Sequence, residues 1–248
     1  FYAHRGRHPM RMRQRTGIRN DGTLTGHDTV THIDGGAYSS FGLVTTYYSG
    51  QILTAPYGME AYRFDSTRFY TNKPCCGPKR GHGSVQPRFA FECQIDKLAE
   101  RIGMDPVAVR RKNFIGENTR TVNGMRITSN GFLQCLDMVT AASQWKRKFR
   151  QLPYGRGIGI AGSCYISGTN YSIYPSEMPQ SGVQLQLDRS GRATVFCGSS
   201  DIGQGSDSVL AYIVAEELGL DLGDIRVVAA DTDLTPVDLG SYSSRETF

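Results

Sequence analysis

Residues 71–84 read Thr-Asn-Lys-Pro-Cys-Cys-Gly-Pro-Lys-Arg-Gly-His-Gly-Ser, and this loop limits the fold more than any other stretch of the 248-residue chain. Its two prolines fix φ and its three glycines free it, so the segment must follow an irregular course between regular elements. Before it, Tyr62 to Tyr70 reads as an aromatic strand. After it, Phe91, Ile95, Leu98 and Ile102 recur with a helical period, which predicts a helix over about Phe89–Ile102 capped by Gly103. Lys79, Arg80 and the coming helix N-terminus favour an anion there. Taken alone, the loop reads equally well as a turn with a surface arginine.

A second loop of similar design shifts the balance toward the first of these readings. Cys197-Gly-Ser-Ser-Asp-Ile-Gly-Gln-Gly-Ser206 follows a predicted hairpin, Val183–Asp188 and Ala193–Phe196 around Arg189–Arg192. It precedes a predicted helix, Ser206–Leu218, with Val209, Leu210, Ile213, Val214 and Leu218 on one face and Gly219 as its stop. Gly203 and Gly205 flank Gln204, which suits close approach of a polar ligand to an amide that can both donate and accept.

Elsewhere the chain alternates strands and helices, which predicts an α+β fold with mixed sheets. A hairpin is expected from Met10–Asn20, a turn at Asn20-Asp21-Gly22, and Leu24–Ile33. The arginines at 11, 13 and 15 then occupy the outward face of its first strand, with Arg5, Arg7 and Arg19 nearby. No DNA- or RNA-binding motif accompanies them, so nucleic acid is not expected as a partner. The glycine-rich bend Asp34–Gly42 carries Tyr38 and Phe41, whose plain reading is core packing, and Leu43–Leu53 reads as a helix. Asp105-Pro106 opens a short helix in which Arg110, Arg111 and Lys112 form a solvated or domain-bridging face. A polar stretch, Asn118–Asn130, leads to an amphipathic helix over Gly131–Trp145. The basic run ending in Leu152-Pro-Tyr-Gly155 is the best boundary, giving domains 1–150 and 151–248. Beyond it, Gly157–Tyr165 reads as a glycine-alternating strand, Ser167–Ser181 as a loop and Ile225–Ala230 as a strand.

A hydrophobic share of 39% and a charged share of 21% mark a globular protein with no membrane span expected. The six cysteines, among them the adjacent Cys75 and Cys76, make no C-x-x-C pair, so they are expected as thiols in a cytoplasmic protein rather than as metal ligands. No initiator Met or signal-peptide core opens the sequence, and the chain is expected to begin and end inside a longer protein.

Several segments in order, Arg7-His8-Pro9, Gly35-Gly36-Ala37-Tyr38, Pro74-Cys75, Arg80-Gly81-His82-Gly83, Asp201–Gly205 and Gly240–Arg245, resemble the molybdenum-binding subunit of the xanthine oxidase family. Within it, the likeness is to the 4-hydroxybenzoyl-CoA reductase branch. The resemblance runs through essentially the whole chain, as the middle portion of a longer subunit.

It implies a molybdenum cofactor, molybdopterin cytosine dinucleotide, whose metal is held by the pterin, so no protein metal ligands are expected. Iron–sulfur clusters and FAD would sit on partner subunits, in a dimer of heterotrimers. It implies that Gln204 hydrogen-bonds a metal-bound oxo group or the pterin, and that Gly77–Arg80 run past them. Ser243, Ser244 and Arg245 match the segment that contacts the pyrophosphate. Tyr38 and Phe41 would border the substrate funnel. Gly81 stands where copper-dependent carbon monoxide dehydrogenases carry a cysteine, which disfavours that chemistry. His82 stands where many family hydroxylases carry a phenylalanine. It could hydrogen-bond or protonate a phenolic oxygen, or only pack. The implied reaction is reductive dehydroxylation of an aromatic acyl-CoA, with Arg80 and His82 at the reacting centre. The alternatives are hydroxylation of an aromatic N-heterocycle or aldehyde with oxygen from water, and a scaffold domain of the same fold without chemistry.

Overall fold

The computed structural model describes residues 5–168, 177–178 and 180–247, so most of the expected loop over Ser167–Ser181 lies outside the described residues. The chain forms two compact units, Phe1–Tyr165 and Ile166–Phe248.

In the first unit, β1 (Met10–Ile18) and β2 (Leu24–Asp34) pair antiparallel, with Met10 opposite Ile33. Arg11, Arg13 and Arg15 are exposed and alternate with half-buried neighbours, as a strand with one solvated face requires. α1 (Gly42–Gln51) and a 3-10 turn (Ile52–Thr54) then lead to β3 (Ala61–Phe69), parallel to β2, in the order β1-β2-β3. α2 (Val85–Arg101) packs Phe91, Ile95 and Ala99 into a core with Leu24, Leu53, Tyr57 and Val109. It starts four residues before the expected Phe89. Pro87 does not delay it, because the first-turn amides of a helix have no intrahelical acceptor to lose.

α3 (Pro106–Asn113) is capped by Asp105, which accepts from the Val107 amide at 2.7 Å. Its basic run is not a single solvated face. Successive helical residues point about 100° apart, and Arg110 points inward, fully buried, to Glu92 and Asp96, each 2.8 Å away. The polar stretch holds a small hairpin, β4 (Thr119–Arg120) with β5 (Arg126–Ile127). The next helix is two: α4 (Phe132–Ser143) ends at Gln144, whose φ of +57° breaks the run, and α5 is Trp145–Lys148. The expected strand over Gly157–Tyr165 does not form. Gly162 instead donates its amide to the Glu92 carboxylate at 2.9 Å and lies against Phe132 and Tyr57, so its missing side chain serves close contact rather than a pleat.

The second unit repeats the plan of the first. β6 (Val183–Leu187) and β7 (Ala193–Cys197) form an antiparallel hairpin, α6 (Ser206–Leu218) follows, and β8 (Ile225–Ala229) returns parallel to β7. No fixed-period repeat is visible in sequence, yet both units run hairpin, loop, helix and parallel strand. The loops at the carboxyl end of each middle strand, 35–41 and 198–205, are therefore topological counterparts. Such positions are where open sheets present ligand-binding loops.

Candidate functional site

In the first unit, Asp34 at the end of β2 fastens two loops together. Its carboxylate accepts from the Gly36 amide at 3.1 Å, the Thr71 hydroxyl at 2.6 Å and the Lys73 ammonium at 2.5 Å. Lys73 above all holds that carboxyl down at about 2. Backbone bonds from Ala37 to Lys73 and from Cys76 to Gly35, 3.0 and 3.1 Å, complete the seam. Gly36 needs its φ of +71°, and the Pro74 carbonyl leaves no room for a side chain there. Arg68 donates to the carbonyls of Gly35, Tyr38 and Ser39 at 2.9 to 3.0 Å. Tyr38 and Phe41 thus stand on a braced loop, 73% and 47% exposed, and core packing is not their role.

Further along, Gly77 is buried under the Arg5 stem, and Arg7 donates to the Arg80 carbonyl at 2.9 Å. These contacts fix the backbone and leave Lys79 and Arg80 exposed. α2 behind them has no side-chain cap and no acidic residue in its first turn, so its N-terminal partial charge is not offset locally.

His82 is half-buried, bonded through Nε2 to the Thr45 hydroxyl on α1, with the rings of Phe41, Tyr48 and His8 6.0 to 6.3 Å away. Burial, then the neighbouring His8 and Arg7, lowers its pKa to about 4, so the ring is neutral at physiological pH. Gly83, at φ +77°, sets this ring in place. A Cβ there would sit 2.7 Å from Tyr48 Cβ and 3.1 Å from the Thr45 carbonyl oxygen. Gly83→Ala is therefore expected to cost about 2–3 kcal/mol in urea unfolding, from strain plus contact. Gly103→Ala, at φ +70° with open space around it, supplies the strain alone, about 1 kcal/mol. Equal losses for the two would remove the packing argument.

In the second unit, Gly203 and Gly205 have φ of +99° and +81°, with nothing within 4 Å of a Cβ at either, so the space over Gln204 is open. Gln204 Oε1 accepts from the Ile202 amide at 2.6 Å, and its Nε2 donates to the Ser206 hydroxyl at 2.9 Å and the Ser200 carbonyl at 3.2 Å. Ser241 clasps the Ser200 backbone from the other side, at 2.6 and 2.9 Å. The N-terminus of α6 already has an anion. The Asp201 carboxyl is lowered by the Gly203 amide first, and by those of Gly205, Asp207 and Ser206.

Ser243 and Ser244 both take positive φ, +55° and +52°, in the turn before Arg245. Arg245 itself is turned inward and is 4% exposed. It donates to Asp238 at 2.5 Å and to the Gln180 and Gly240 carbonyls at 2.7 Å, with its plane 5.0 Å over Tyr242. Only its Nε lacks a partner.

Thr45, Arg68 and Asp238 support these loops and carry no sequence signal, while His8 and Asp34 lie in the marked segments Arg7-His8-Pro9 and Asp34–Gly42 without a role of their own assigned there. Single polar residues, one per element, show no periodicity. Among the described residues no group of His, Cys, Asp or Glu could hold a metal ion, and no helix is long and apolar enough to cross a membrane.

Two family models, each described as a molybdopterin cofactor-binding domain, match residues 1–114 and 135–248. The chain is 34% identical to a xanthine dehydrogenase molybdenum-binding subunit of Escherichia coli O157:H7, covering all of this chain and 33% of that protein. It is 29% identical to subunit gamma of the 6-hydroxypseudooxynicotine dehydrogenase complex of Paenarthrobacter nicotinovorans, covering 89% and 28%. Among solved structures, aldehyde oxidoreductase from Desulfovibrio gigas superposes with a TM-score of 0.79 at 26% identity, covering 93% of this chain and 26% of that one. The chain thus spans about a third or less of the length of these relatives.

Proposed function

The chain belongs to the molybdopterin cofactor-binding domains of the xanthine dehydrogenase and aldehyde oxidoreductase family, and from that premise we propose that it is part of the catalytic subunit of a molybdenum-dependent oxidoreductase. Its domains would meet near residue 150. The observation that carries the reading is the open, doubly left-handed glycine pair around Gln204, a cradle that any side chain would fill.

When bound, the cofactor supplies two-electron redox chemistry at molybdenum. Gln204 is preorganised for it, and its longest bond, 3.2 Å to the Ser200 carbonyl, is the one most easily exchanged for a ligand oxygen. Arg80, the Gly77–Gly81 backbone and the α2 N-terminus offer positive charge to an anionic group. Ser243 and Ser244 offer hydroxyls and Arg245 a fixed turn toward the pyrophosphate of a cytosine dinucleotide. Tyr38 and Phe41 offer exposed rings to a flat substrate.

For the reaction we favour hydroxylation of an aromatic N-heterocycle or aldehyde with oxygen from water. A neutral His82 can orient such a substrate by a hydrogen bond, whereas it carries no imidazolium proton to give a departing hydroxyl. One observation favours the second reading, reductive dehydroxylation of a 4-hydroxybenzoyl-CoA-type substrate: a polar ring stands where family hydroxylases carry phenylalanine. In either case iron–sulfur and FAD subunits would exchange the electrons, in a cytoplasmic dimer of heterotrimers.

The test is the molybdenum and acid-released CMP content of the assembled enzyme, followed by turnover. Near-stoichiometric molybdenum and CMP are expected, with oxidation of heterocycles or aldehydes rather than reduction of 4-hydroxybenzoyl-CoA by a low-potential donor. Absence of both from intact enzyme would overturn the molybdoenzyme reading, and reduction without oxidation would reverse the direction.

A further inference from the structure

One hydroxyl lies between two imidazoles. Thr45 Oγ1 contacts His82 Nε2 and lies 3.5 Å from Nδ1 of His8, and the two rings stack at 6.0 Å with 30° between their planes. A hydroxyl has one proton, so between two neutral rings it donates to one and accepts from the other. The tautomers of His8 and His82 are therefore linked. Both rings are neutral, since burial foremost holds each near a pKa of about 4.

His8 fixes which way the chain of bonds runs. It is 2% exposed, and its Nε2 is buried without a partner. An orphaned buried N–H is less tolerable than an orphaned lone pair, so the His8 proton belongs on Nδ1. His8 Nδ1–H then donates to Thr45 Oγ1, and Thr45 donates to His82 Nε2. His82 is left with its proton on Nδ1.

We propose that His8, acting through Thr45, is a positioning residue that fixes His82 as a neutral Nδ1–H donor, so that the site selects substrates presenting a carbonyl, phenolate or ring-nitrogen acceptor to it. This rests on the cofactor reading only for the word substrate. The tautomer itself does not depend on it.

His27 supplies an internal control within the same unit. Thr16 gives its only proton to Gln94 Oε1 at 2.7 Å, so it must accept from His27 Nδ1 at 2.8 Å. That ring too is an Nδ1–H tautomer, by an unrelated route.

Solid-state 15N NMR of the assembled enzyme labelled at histidine, with the His82 signals assigned from His82→Gln, reads the tautomer directly. Wild type and Thr45→Ser are expected to show a pyrrole-type Nδ1 and a pyridine-type Nε2 at His82. Thr45→Val and His8→Gln are expected to shift the proton to Nε2, the form that free imidazole side chains prefer, while the His27 signals stay in place. Substrate KM should rise in Thr45→Val with kcat changed less. An Nε2–H His82 in wild type, or a tautomer indifferent to both substitutions with His27 unmoved, would overturn the proposal. If Thr45→Val disturbs His27 as well, the His8→Gln and Thr45→Ser pair decides. Failure to find molybdenum would sink the cofactor reading and leave the tautomer result intact.

Discussion

Replacing Glu92 by alanine is expected to destabilise the first unit by about 3–5 kcal/mol, the largest effect of any single substitution considered. Arg110 has no exposed surface, and its guanidinium is held by Glu92 Oε2 at 2.8 and 2.9 Å, Asp96 at 2.8 Å and the Pro106 carbonyl at 3.1 Å. Removing Glu92 leaves a buried cation whose remaining carboxylate, Asp96, is 43% exposed and screened by water. The same change orphans the Gly162 amide, which gives Glu92 its hydrogen bond at 2.9 Å. Urea unfolding at neutral pH measures the loss. Glu92→Leu combined with Arg110→Met should recover much of it, because the charge then leaves with its partner. Arg111→Ala, which breaks only the exposed pair with Asp137, should cost under about 1 kcal/mol. A Glu92→Ala loss as small as that would show the network to be a solvated one after all.

Glu92 and Asp96 also show how a sequence reading of this chain goes astray. They lie four residues apart, on one face of α2, and Arg110 is the cation that meets them. The run Arg-Arg-Lys suggests a solvated face only when its three directions are merged into one. Elements set by local chemistry were legible: the two hairpins, the helices with an apolar period, the Asp105-Pro106 start and the Gly219 stop. The ring of His82 and the cradle of Gln204 were legible as residue types beside glycines with positive φ. Their long-range supports were not, because Thr45 reaches His82 across 37 residues of sequence and Ser241 reaches Ser200 in the Gln204 loop across 41. The glycine alternation at Gly157–Tyr165 misled for a related reason, since tight contact and a pleated strand both call for small residues.

Acidification should weaken the first unit between pH 6.5 and about 4. His27 carries the clearest share. It is 3% exposed, lies against Phe91 with ring centres 4.5 Å apart, and is lowered to about 4 by burial, with Arg88 lowering it further and Asp28 opposing. A folded-state pKa below the unfolded value of 6.5 means that the unfolded chain binds the extra proton. Stability from His27 is thus complete above pH 6.5 and is lost as pH falls toward 4, by about 3 kcal/mol in all. Asp34, held at about 2 by Lys73, contributes stability above 3.8 that disappears only below this window, so the two do not overlap. His8 and His82 add to the loss but not independently. Arg68 and Arg7 face them, Asp34 partly compensates at His8, and a first proton on either ring opposes a second. Denaturant unfolding at pH 7, 6, 5 and 4.5 should show the decline, and His27→Gln should flatten it by the His27 share while lowering stability at pH 7. Equal stability at pH 7 and 4.5 would refute the assignment. Protonated His82 has no lone pair left to accept from the Thr45 hydroxyl but can donate its Nε2–H to that oxygen, so acid should reverse the direction of this bond rather than break it.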